Sequence, residues 1–513
     1  MSTERLQISR RNLLEAAGGI TFMALAPTAS GAHYVLRRNG GLSAADPALP
    51  LFTALPYVQP GSAGGRLSEG KEAPVIAWQT DGVPAHFELR YGNALEHSAE
   101  ISSKERLCKE RKHGERRFNF AASIPGLNLN SRCRYSVQMN GETVLQGYFT
   151  TRKPRGAPVR FVAFGDNSYG DISDRFIAYQ AYKARPDFVM NTGDTVYESG
   201  LDNEYARYFF PVYNADVAER RAGAPLMRSV PFYSVIANHD VHGKSAQGWP
   251  AADFGRSIDA LGFYTNFYLP AGQPAPADPT PLIGPAATIN SFRQCAGSRY
   301  PAAANYSFDY GDCHFLCLDS NTYVDPRNGD LQRWIETDLG STDAAWKFVV
   351  YHHPAFNTGW SHYQEQQMRA LCPLFEKHGV DFALHGHEHT YQRTRPLRFF
   401  PADTAGAGDR SSKRRLVPGR FTVDRQFDGR SVTRANGIIY ITTGAGGKEL
   451  YDSQCNNAPE RCLHPEDNNV DYMASFISDR HSLSVFDVDR SSVLMRQIDE
   501  WGREVDRIRV THA

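Results

Sequence analysis

The chain has 513 residues, enough for two or three domains with large cores, and its 41% hydrophobic and 22% charged residues are ordinary for a globular protein. Lysine plus arginine and aspartate plus glutamate both number 56, so no global charge favours nucleic acid or a membrane surface. Aromatic residues make up 12% of the chain, which disfavours disorder.

The N-terminal segment, residues 1–32, has the layout of an export signal. Arg10 and Arg11 precede a mildly apolar run, and small residues follow up to Ala32. The core S-R-R-N-L-L is similar to a twin-arginine signal, which predicts the twin-arginine export machinery as a partner and a periplasmic or secreted location. The apolar run is too short and too rich in glycine to span a bilayer, so no stable membrane anchor is expected. The alternative is an amphipathic helix with a chance Arg-Arg pair.

A small all-β domain is predicted over residues 51–151. Runs such as HFELRYG, RFNFAASI and RCRYSVQMN are separated by turn residues at the spacing of a β-sandwich. The segment contains no cluster of titratable residues, so we expect a structural or docking role. The sequence RKPRGAP at 152–158 indicates a linker.

From residue 158 to residue 513, strands alternate with helices, which predicts a layered α/β domain. Two loops near 270–304 and 395–437 interrupt it and are candidate lids. The predicted helices are DISDRFIAYQAYKAR, LQRWIETDL and YQEQQMRALCPLFEKHG, and the main predicted strands are VRFVAFGD, DFVMNTGD, VPFYSVIANHD, WKFVVYHHP and VDFALHGHEH.

The eight cysteines show no C-x-x-C spacing of the kind that binds zinc. Cys455 and Cys462 bracket a short polar loop and form the predicted disulfide. Cys313 and Cys317 flank the apolar residues HFL and are expected to be buried thiols.

Five of the predicted strands end in residues that can bind metal ions. Ligands of layered α/β sheets bind beyond the carboxyl ends of the strands, so we expect these side chains to converge. In GHEH, strand alternation would aim both imidazoles at one pocket. The set comprises Asp166 in GDNS, Asp194 and Tyr197 in GDTVY, Asn238 and His239 in ANHD, His352 in VVYHHP, and His387 and His389 in GHEH.

Without His239, this set contains two carboxylates, one amide oxygen, three imidazoles and one phenol. That is too many donors for one tetrahedral zinc ion, and it suits two metal ions that share a bridging carboxylate. Such a pair clamps a phosphoryl group and provides a metal-bound hydroxide near neutral pH.

These motifs resemble those of the calcineurin-like metallophosphoesterase superfamily, and more narrowly the purple acid phosphatases, with the pattern D-x-G, G-D-x-x-Y, G-N-H-D/E, V-x-x-H and G-H-x-H. The resemblance covers most of residues 159–513. It implies a metallophosphoesterase domain with a β-sandwich core flanked by helices, preceded by a fibronectin-type-III-like domain. Ser168 stands where non-purple relatives carry a histidine ligand, and Tyr197 offers a replacement, which favours the purple type. Ala237 in place of a glycine is a small change.

The resemblance also implies a binuclear centre of Fe(III) with Fe(II), Zn(II) or Mn(II). A hard trivalent ion prefers anionic oxygen, whereas imidazoles suit the divalent ion. The implied ligands are Asp166, Tyr197 and His389 for the ferric ion, Asn238, His352 and His387 for the divalent ion, and Asp194 as the bridge.

Two further histidines are implied to contact substrate. His239 would hydrogen-bond the phosphate or protonate the leaving oxygen, and His362, ten residues beyond His352, is the second candidate. For His353, His385 and Arg393 a packing or structural role is expected.

Together these features predict an exported phosphohydrolase that acts on small phosphate esters, with phosphomonoesters as the expected substrates. A phosphodiesterase or nucleotidase on the same centre is the alternative. A non-catalytic phosphate-binding protein with this fold is a third possibility, which the complete ligand set argues against. No nucleic-acid scaffold is expected as a partner.

Overall fold

The computed structural model describes residues 23–24, 34–35, 50–61, 65–67, 70–82, 85–108, 115–241, 259–270, 282–300, 302–409 and 414–512. Apart from the strand Met23–Ala24, the predicted export signal at residues 1–32 lies outside the described residues. Across these ranges no helix combines the length and the apolar character needed to cross a membrane.

The N-terminal part is all-β, as its strand-like runs predict. Trp78 and Phe120 stack with their ring centroids 5.4 Å apart, and Tyr135 and Phe149 join the same buried core from a second sheet. The strands are β1 (Met23–Ala24), β2 (Tyr34–Val35), β3 (Phe52–Gln59), β4 (Lys71–Glu72), β5 (Val75–Asp81), β6 (Phe87–Tyr91), β7 (His97–Ala99), β8 (Ser102–Cys108), β9 (Glu115–Ser123), β10 (Leu127–Asn128), β11 (Arg132–Met139) and β12 (Glu142–Thr150).

These strands form a six-stranded sheet in the order β1-β2-β3-β5-β9-β8 and a four-stranded sheet in the order β12-β11-β6-β7, with β10 and β4 as a separate pair. Buried polar contacts fix this all-β part to the rest of the chain. Arg117 pairs with Asp202 at 3.2 Å, and the hydroxyl of Tyr57 donates to the carbonyl of Asn266 at 2.9 Å.

The remaining strands and helices build a layered α/β domain, which confirms the predicted class. The helices are α1 (Ile172–Ala184), α2 (Asp202–Glu204), α3 (Phe210–Tyr213), α4 (Gly262–Asn266), α5 (Ala286–Ala296), α6 (Gly329–Gly340) and α7 (Cys372–Lys377). The strands are β13 (Val159–Phe164), β14 (Phe188–Asn191), β15 (Phe232–Ser234), β16 (Tyr306–Tyr310), β17 (Cys313–Cys317), β18 (Trp346–Val350), β19 (Phe382–His385), β20 (Tyr391–Thr394), β21 (Leu397–Pro401), β22 (Gly419–Val423), β23 (Ile439–Thr443), β24 (Met473–Ile477), β25 (Ser482–Val488), β26 (Ser492–Asp499) and β27 (Glu504–Thr511).

Two mixed sheets face each other in this domain, with orders β15-β14-β13-β25-β26-β27 and β16-β17-β18-β19-β23-β20-β24. Strands β13, β14 and β15 run parallel, and so do β17, β18, β19 and β23. Phe161 on β13 packs edge-on against Phe315 and Phe348 of the other sheet at centroid distances of 5.2 and 5.4 Å. The core between the sheets is therefore aromatic, and it holds the carboxyl ends of both parallel sets at fixed positions.

The helix predicted from Tyr363 to Gly379 is shorter than expected. The structure has a 3-10 turn at Gln367–Leu371 followed by α7, with Pro373 in the first helical turn, where its missing N–H costs nothing. Upstream, the backbone at Gln364 and Gln366 pairs with Arg415 instead of forming helical bonds. A tertiary contact from a distant loop therefore overrides the helical pattern.

The two candidate lids contain regular structure: α5 lies within 270–304, and the antiparallel pair β21–β22 lies within 395–437. The predicted disulfide Cys455–Cys462 is confirmed. Cys313 and Cys317 are buried and are among the free thiols of the described chain.

Candidate metal centre

The candidate ligands meet where the two sheets present the carboxyl ends of their parallel strands. Asp166 follows β13, Asp194 and Tyr197 follow β14, and Asn238 follows β15, while His352 and His387 follow β18 and β19 in the other sheet. All of them are buried except Asn238, which is half-buried. The predicted convergence at one edge therefore holds in the structure.

The backbone adopts left-handed conformations at three of these positions, with φ of +56° at Asp166, +47° at Asp194 and +71° at His387. Such conformations cost energy in a residue other than glycine and cluster at functional sites. Gly386 permits the close approach, since a Cβ atom there would lie 2.5 Å from Oδ2 of Asp166.

His387 and His389 enter the site from a turn, because β19 ends at His385. The expectation that strand alternation aims both imidazoles is therefore wrong in mechanism, although both rings do reach the site. The backbone N–H of His387 donates to both carboxylate oxygens of Asp166 at 3.0 and 2.9 Å, and this contact sets the turn.

The phenol of Tyr197 is the centre of an oxygen-rich cluster. Its Oη lies 3.1 Å from Oδ1 of Asp166, 3.3 Å from Oδ2 of Asp194 and 3.2 Å from Nε2 of His389. Nδ1 of His389 donates to the carbonyl of Glu449 at 2.9 Å, which leaves Nε2 as the ligand atom.

A nitrogen-rich cluster adjoins it on the other side of Asp194. Nε2 of His352 lies 3.2 Å from Oδ2 of Asp194, and Nδ1 of His352 donates to the carbonyl of Thr192 at 2.9 Å. Ligand atoms of Asp194, His352 and His387 all lie within 4.8 Å of one another, the spacing of a metal site.

Several buried atoms at this edge are left without hydrogen bonds. Within the described part of the chain, Oδ1 of Asn238, Nε2 of His352 and Nε2 of His387 have no hydrogen-bond partner. Leaving such atoms unpaired inside a protein is costly. The donor set therefore fits a pair of metal ions.

The electrostatics of the cluster are unbalanced without cations. Burial raises the pKa of Asp166 well above its usual range. Burial also favours protonation of Asp194, but the imidazoles of His352 and His239 outweigh it and hold the pKa of Asp194 below its usual range. Burial lowers the pKa of His387 to about 3, which leaves a neutral imidazole of the kind that metal ions bind.

Comparison with known proteins agrees with this geometry. The family model described as calcineurin-like phosphoesterase matches residues 159–391. This matched part of the chain is a calcineurin-like phosphoesterase domain. The protein is a purple acid phosphatase-like, metal-dependent phosphatase.

Plant purple acid phosphatases are among the similar sequences. The chain is 26% identical to purple acid phosphatase 17 of Arabidopsis thaliana over 321 residues, which are 60% of this chain and 83% of that protein. It is 36% identical to purple acid phosphatase 23 of the same plant over 107 residues, which are 20% of this chain and 23% of that protein. The second match therefore covers less than a quarter of its relative.

Two solved structures share the fold of this phosphatase. Purple acid phosphatase PPD1 from yellow lupin (Lupinus luteus) seeds superposes with a TM-score of 0.61 at 17% identity, covering 94% of this chain and 79% of that one. The structure of PhoD superposes with a TM-score of 0.52 at 14% identity, covering 90% and 94%. At these identities the likeness concerns the fold alone.

The substrate candidate His239 lies beside the oxygen-rich cluster of the phosphatase. Its backbone N–H donates to Oδ1 of Asp194 at 2.8 Å, and its Nδ1 donates to the carbonyl of Glu198 at 2.8 Å. The imidazole is therefore fixed through Nδ1, which leaves Nε2 available for a substrate.

His362, the second substrate candidate, lies on the nitrogen-rich side. Its ring centroid is 4.0 Å from that of His387, and its Nδ1 is 3.2 Å from Oε1 of Glu365. Oε2 of Glu365 lies 3.7 Å from Nε2 of His387 and 3.7 Å from Nη1 of Arg415. One carboxylate, whose side chain is 13% exposed, thus contacts a candidate ligand, a candidate substrate residue and a guanidinium.

Sequence reasoning missed Glu365 and Arg415. His353, Glu365 and His387 also have the spacing of a metal site, but the cation of Arg415 beside Glu365 disfavours a metal ion there. Burial favours protonation of Glu365, but the neighbouring imidazoles of His362 and His387 outweigh it and lower its pKa well below the usual range. The only signal in the sequence is that Glu365 follows His362 by three residues.

Of the residues expected to be structural, His353 packs directly on His387 at a ring-centroid distance of 4.4 Å, whereas Arg393 and His385 have other partners. Nδ1 of His353 is 2.9 Å from the hydroxyl of Ser320, and Nε of Arg393 is 2.7 Å from Oδ2 of Asp506. His385 is fully buried beside Tyr351, with a ring-centroid distance of 4.4 Å.

Proposed function

We propose that this phosphatase is an exported phosphomonoesterase with a binuclear centre of the purple type, Fe(III) with Fe(II), Zn(II) or Mn(II). The observation that carries the proposal is the position of Tyr197, whose Oη lies within 3.3 Å of Asp166, Asp194 and His389. Two carboxylates and a phenolate would give one ion the anionic oxygen ligands that a hard trivalent ion prefers.

In this proposal the two ligand sets share Asp194. The bridging role falls to Asp194 because it contacts Tyr197 on one side and His352 on the other, at 3.3 and 3.2 Å. The ferric ion would bind Asp166, Tyr197, His389 and Asp194, and the divalent ion would bind Asn238, His352, His387 and Asp194.

A bound pair of metal ions supplies positive charge for the phosphoryl oxygens and lowers the pKa of water. The protein's own part is to orient the substrate and to handle the proton of the leaving group. We assign these tasks to Nε2 of His239, held by the carbonyl of Glu198, and to His362, held by Glu365. Positioning and charge account for most of phosphoryl-transfer catalysis.

The substrate assignment is tested with matched aryl esters. We expect kcat/KM for an aryl phosphate monoester to exceed that for the corresponding diaryl diester by at least tenfold. Relatives named as phosphatases favour this order. A higher rate with the diester would make the protein a phosphodiesterase or nucleotidase on the same centre.

The metal assignment is tested by the visible absorption spectrum of protein purified without added metal, together with elemental analysis. We expect iron and a broad charge-transfer band, and we expect Tyr197→Phe to lose the band while keeping the wild-type circular dichroism spectrum. A colourless wild-type protein with two zinc or manganese ions would remove Tyr197 from the ligands and leave the phosphatase activity to be explained by divalent ions.

The domain boundaries and the location also belong to this proposal. We assign residues 51–151 to a fibronectin-type-III-like domain and residues 158–513 to the catalytic domain. Export is tested by replacing Arg10 and Arg11 together with lysine, which conserves charge but alters the twin-arginine motif. The variant should accumulate unprocessed in the cytoplasm, and unchanged export would refute this route.

A further inference from the structure

Lys448 occupies an unusual place beside the proposed ferric ligands. It follows the glycine-rich turn after β23, and its backbone N–H donates to the carbonyl of Asp166 at 3.0 Å. Its side chain is nearly buried, with Nζ 3.2 Å from the ring centroid of Tyr169 and 4.9 Å from that of Tyr197. The ammonium group of Lys448 therefore lies beside the ring of the candidate ligand Tyr197. The catalytic roles proposed above do not involve this group.

The counter-charge of Lys448 is Glu198. Oε1 of Glu198 lies 3.0 Å from Nζ of Lys448, but the Glu198 side chain is 44% exposed whereas that of Lys448 is 10% exposed. Solvent therefore screens the carboxylate more than the ammonium group. The Tyr197 ring is therefore exposed to the positive field of Lys448, which Glu198 neutralises only in part.

The ring of Tyr197 is held so that this field acts on it. Tyr169 packs edge-on against it at a centroid distance of 6.2 Å, and His239 packs on it at 4.6 Å. Cations are attracted to aromatic faces, and a phenolate places more negative charge on its ring than a phenol does. Binding of the Tyr197 oxygen to a ferric ion would thus strengthen the interaction with Lys448.

We propose that Lys448 tunes the ferric–tyrosinate pair: its ammonium group, seated on Tyr169 and facing Tyr197, stabilises the phenolate and sets both the energy of its charge-transfer band and the reduction potential of the ion. This inference rests on the proposed function. Lys448 would act on the iron through the ring of Tyr197. It is therefore a positioning residue and not a catalytic one.

The sign of the effect follows from distance. The ring of Tyr197 is the electron donor of the charge-transfer transition, and Nζ of Lys448 lies 4.9 Å from the centroid of that ring. Its charge lowers the energy of the donor orbital more than that of the acceptor ion. Removal of the charge should therefore move the band to longer wavelength and lower the reduction potential of the iron.

The test compares three variants with the wild-type protein, each loaded with iron and checked for metal content. Lys448→Met keeps the aliphatic stem on Tyr169 and removes the charge, so its band should lie at longer wavelength. Lys448→Arg keeps the charge and should retain the wild-type band. Glu198→Gln removes the counter-charge but keeps the backbone carbonyl that holds His239, so its band should move the opposite way, to shorter wavelength.

The outcomes separate this inference from the proposed function. A coloured wild-type protein whose band is unmoved in Lys448→Met, with full iron content, would overturn the role of Lys448 and leave the ferric–tyrosinate assignment standing. A colourless wild-type protein would overturn the assignment itself, and this inference with it. Opposite shifts in Lys448→Met and Glu198→Gln, with matching opposite changes in reduction potential, are the expected result.

Discussion

Two clusters of charged groups, centred on His314 and on the candidate ligands, differ in how completely their polar atoms are hydrogen-bonded. In the first, His314 is fully buried between two carboxylates, with Nδ1 2.8 Å from Asp309 and Nε2 2.9 Å from Asp338. Arg66 completes this His314 cluster at 2.8 Å from Asp338. In the second, the metal edge defined by the seven candidate ligands, the amide of Asn238 and the imidazoles of His352 and His387 each have one buried polar atom without a hydrogen bond within the residues the structure describes.

The difference also appears in the pKa values. Burial alone lowers the pKa of His314, but its hydrogen bonds to Asp309 and Asp338 outweigh burial and raise the pKa above its usual range. The pKa of His387 falls to about 3 because burial and the neighbouring His362 outweigh the opposing effect of Glu365. A cluster whose charged groups all have partners within the protein stabilises the fold. A cluster with buried polar atoms that lack hydrogen bonds is suited to binding a metal ion.

The largest effect is expected when the metal edge loses its central carboxylate. Asp194→Asn should lower kcat/KM by about a thousandfold or more, because several kcal/mol of charge stabilisation depend on both metal ions being bound. Elemental analysis should show loss of metal. The free energy of unfolding of the metal-free protein should also fall, because Asp194 is ion-paired with His352 and its lowered pKa means that the ionised carboxylate stabilises the fold. A metal-loaded, active variant would contradict the bridging role.

The His314 cluster should respond in the opposite way. His314→Leu should lower the free energy of unfolding by about 3 kcal/mol, because it leaves two buried carboxylates short of a partner. The activity of the protein that remains folded should stay close to wild type. Denaturant unfolding and a rate assay on the same preparation measure the two quantities.

The matched control is His385→Leu. His385 is also fully buried, but neither ring nitrogen has a hydrogen-bond partner among the described residues. Replacing an unpaired buried polar group with an apolar one of similar size should be neutral or stabilising. Equal destabilisation by the two substitutions would mean that packing, not charge pairing, explains the His314 result.

A smaller effect is expected from substitution of Glu365, which is paired with Arg415 and also contacts His387 of the metal edge. Glu365→Gln should lower metal affinity or activity by about tenfold to a hundredfold, the usual cost of losing a carboxylate that orients a metal-binding histidine. Arg415→Gln should also lower metal affinity or activity, but by less, because among these residues its side chain contacts Glu365 and not a candidate ligand. Metal titration of both variants checks this, and wild-type affinity in Glu365→Gln would refute the orienting role.

The sequence was sufficient to predict the layers, the strand ends and the convergence of the donor residues. Asp166, Asp194 and Asn238 follow apolar strands of one parallel set, and local patterns identify such strands well. Their roles as ligands stay predictions. The turn that carries His387 was not predictable, because it depends on a bond from its N–H to Asp166, a residue far away in the sequence.

Glu365, Arg415 and Lys448 were missed for a related reason. Each lies in a loop, and its importance comes from a charged partner contributed by another loop: Glu365 with Arg415, and Lys448 with Glu198. A single sequence records the residue types but not these pairings. The backbone of Arg415 also pairs with that of Gln364 and Gln366, which shortens the helix predicted from Tyr363. Contacts with Arg415 therefore account for two errors, the missed Glu365–Arg415 pair and the length of this helix.

The smallest predicted effect is the pH dependence of the His314 cluster. The raised pKa of His314 contributes stability that is fully present below its unfolded pKa of about 6.5 and is lost as the pH rises through the folded value. For Asp309, burial favours protonation, but the hydrogen bond from His314 outweighs it and lowers the pKa. Its contribution is present above the unfolded pKa of about 3.9 and is lost as the pH falls.

The cluster should therefore stabilise the fold most between about pH 4 and pH 6.5. The difference in unfolding free energy between wild type and His314→Leu should be larger at pH 5.5 than at pH 9, by on the order of 1 kcal/mol. Urea unfolding of both proteins at the two pH values, without metal, isolates this cluster from the metal edge. A difference that does not change with pH would mean that His314 binds no extra proton in the folded state, and the contrast between the two clusters would then rest on geometry alone.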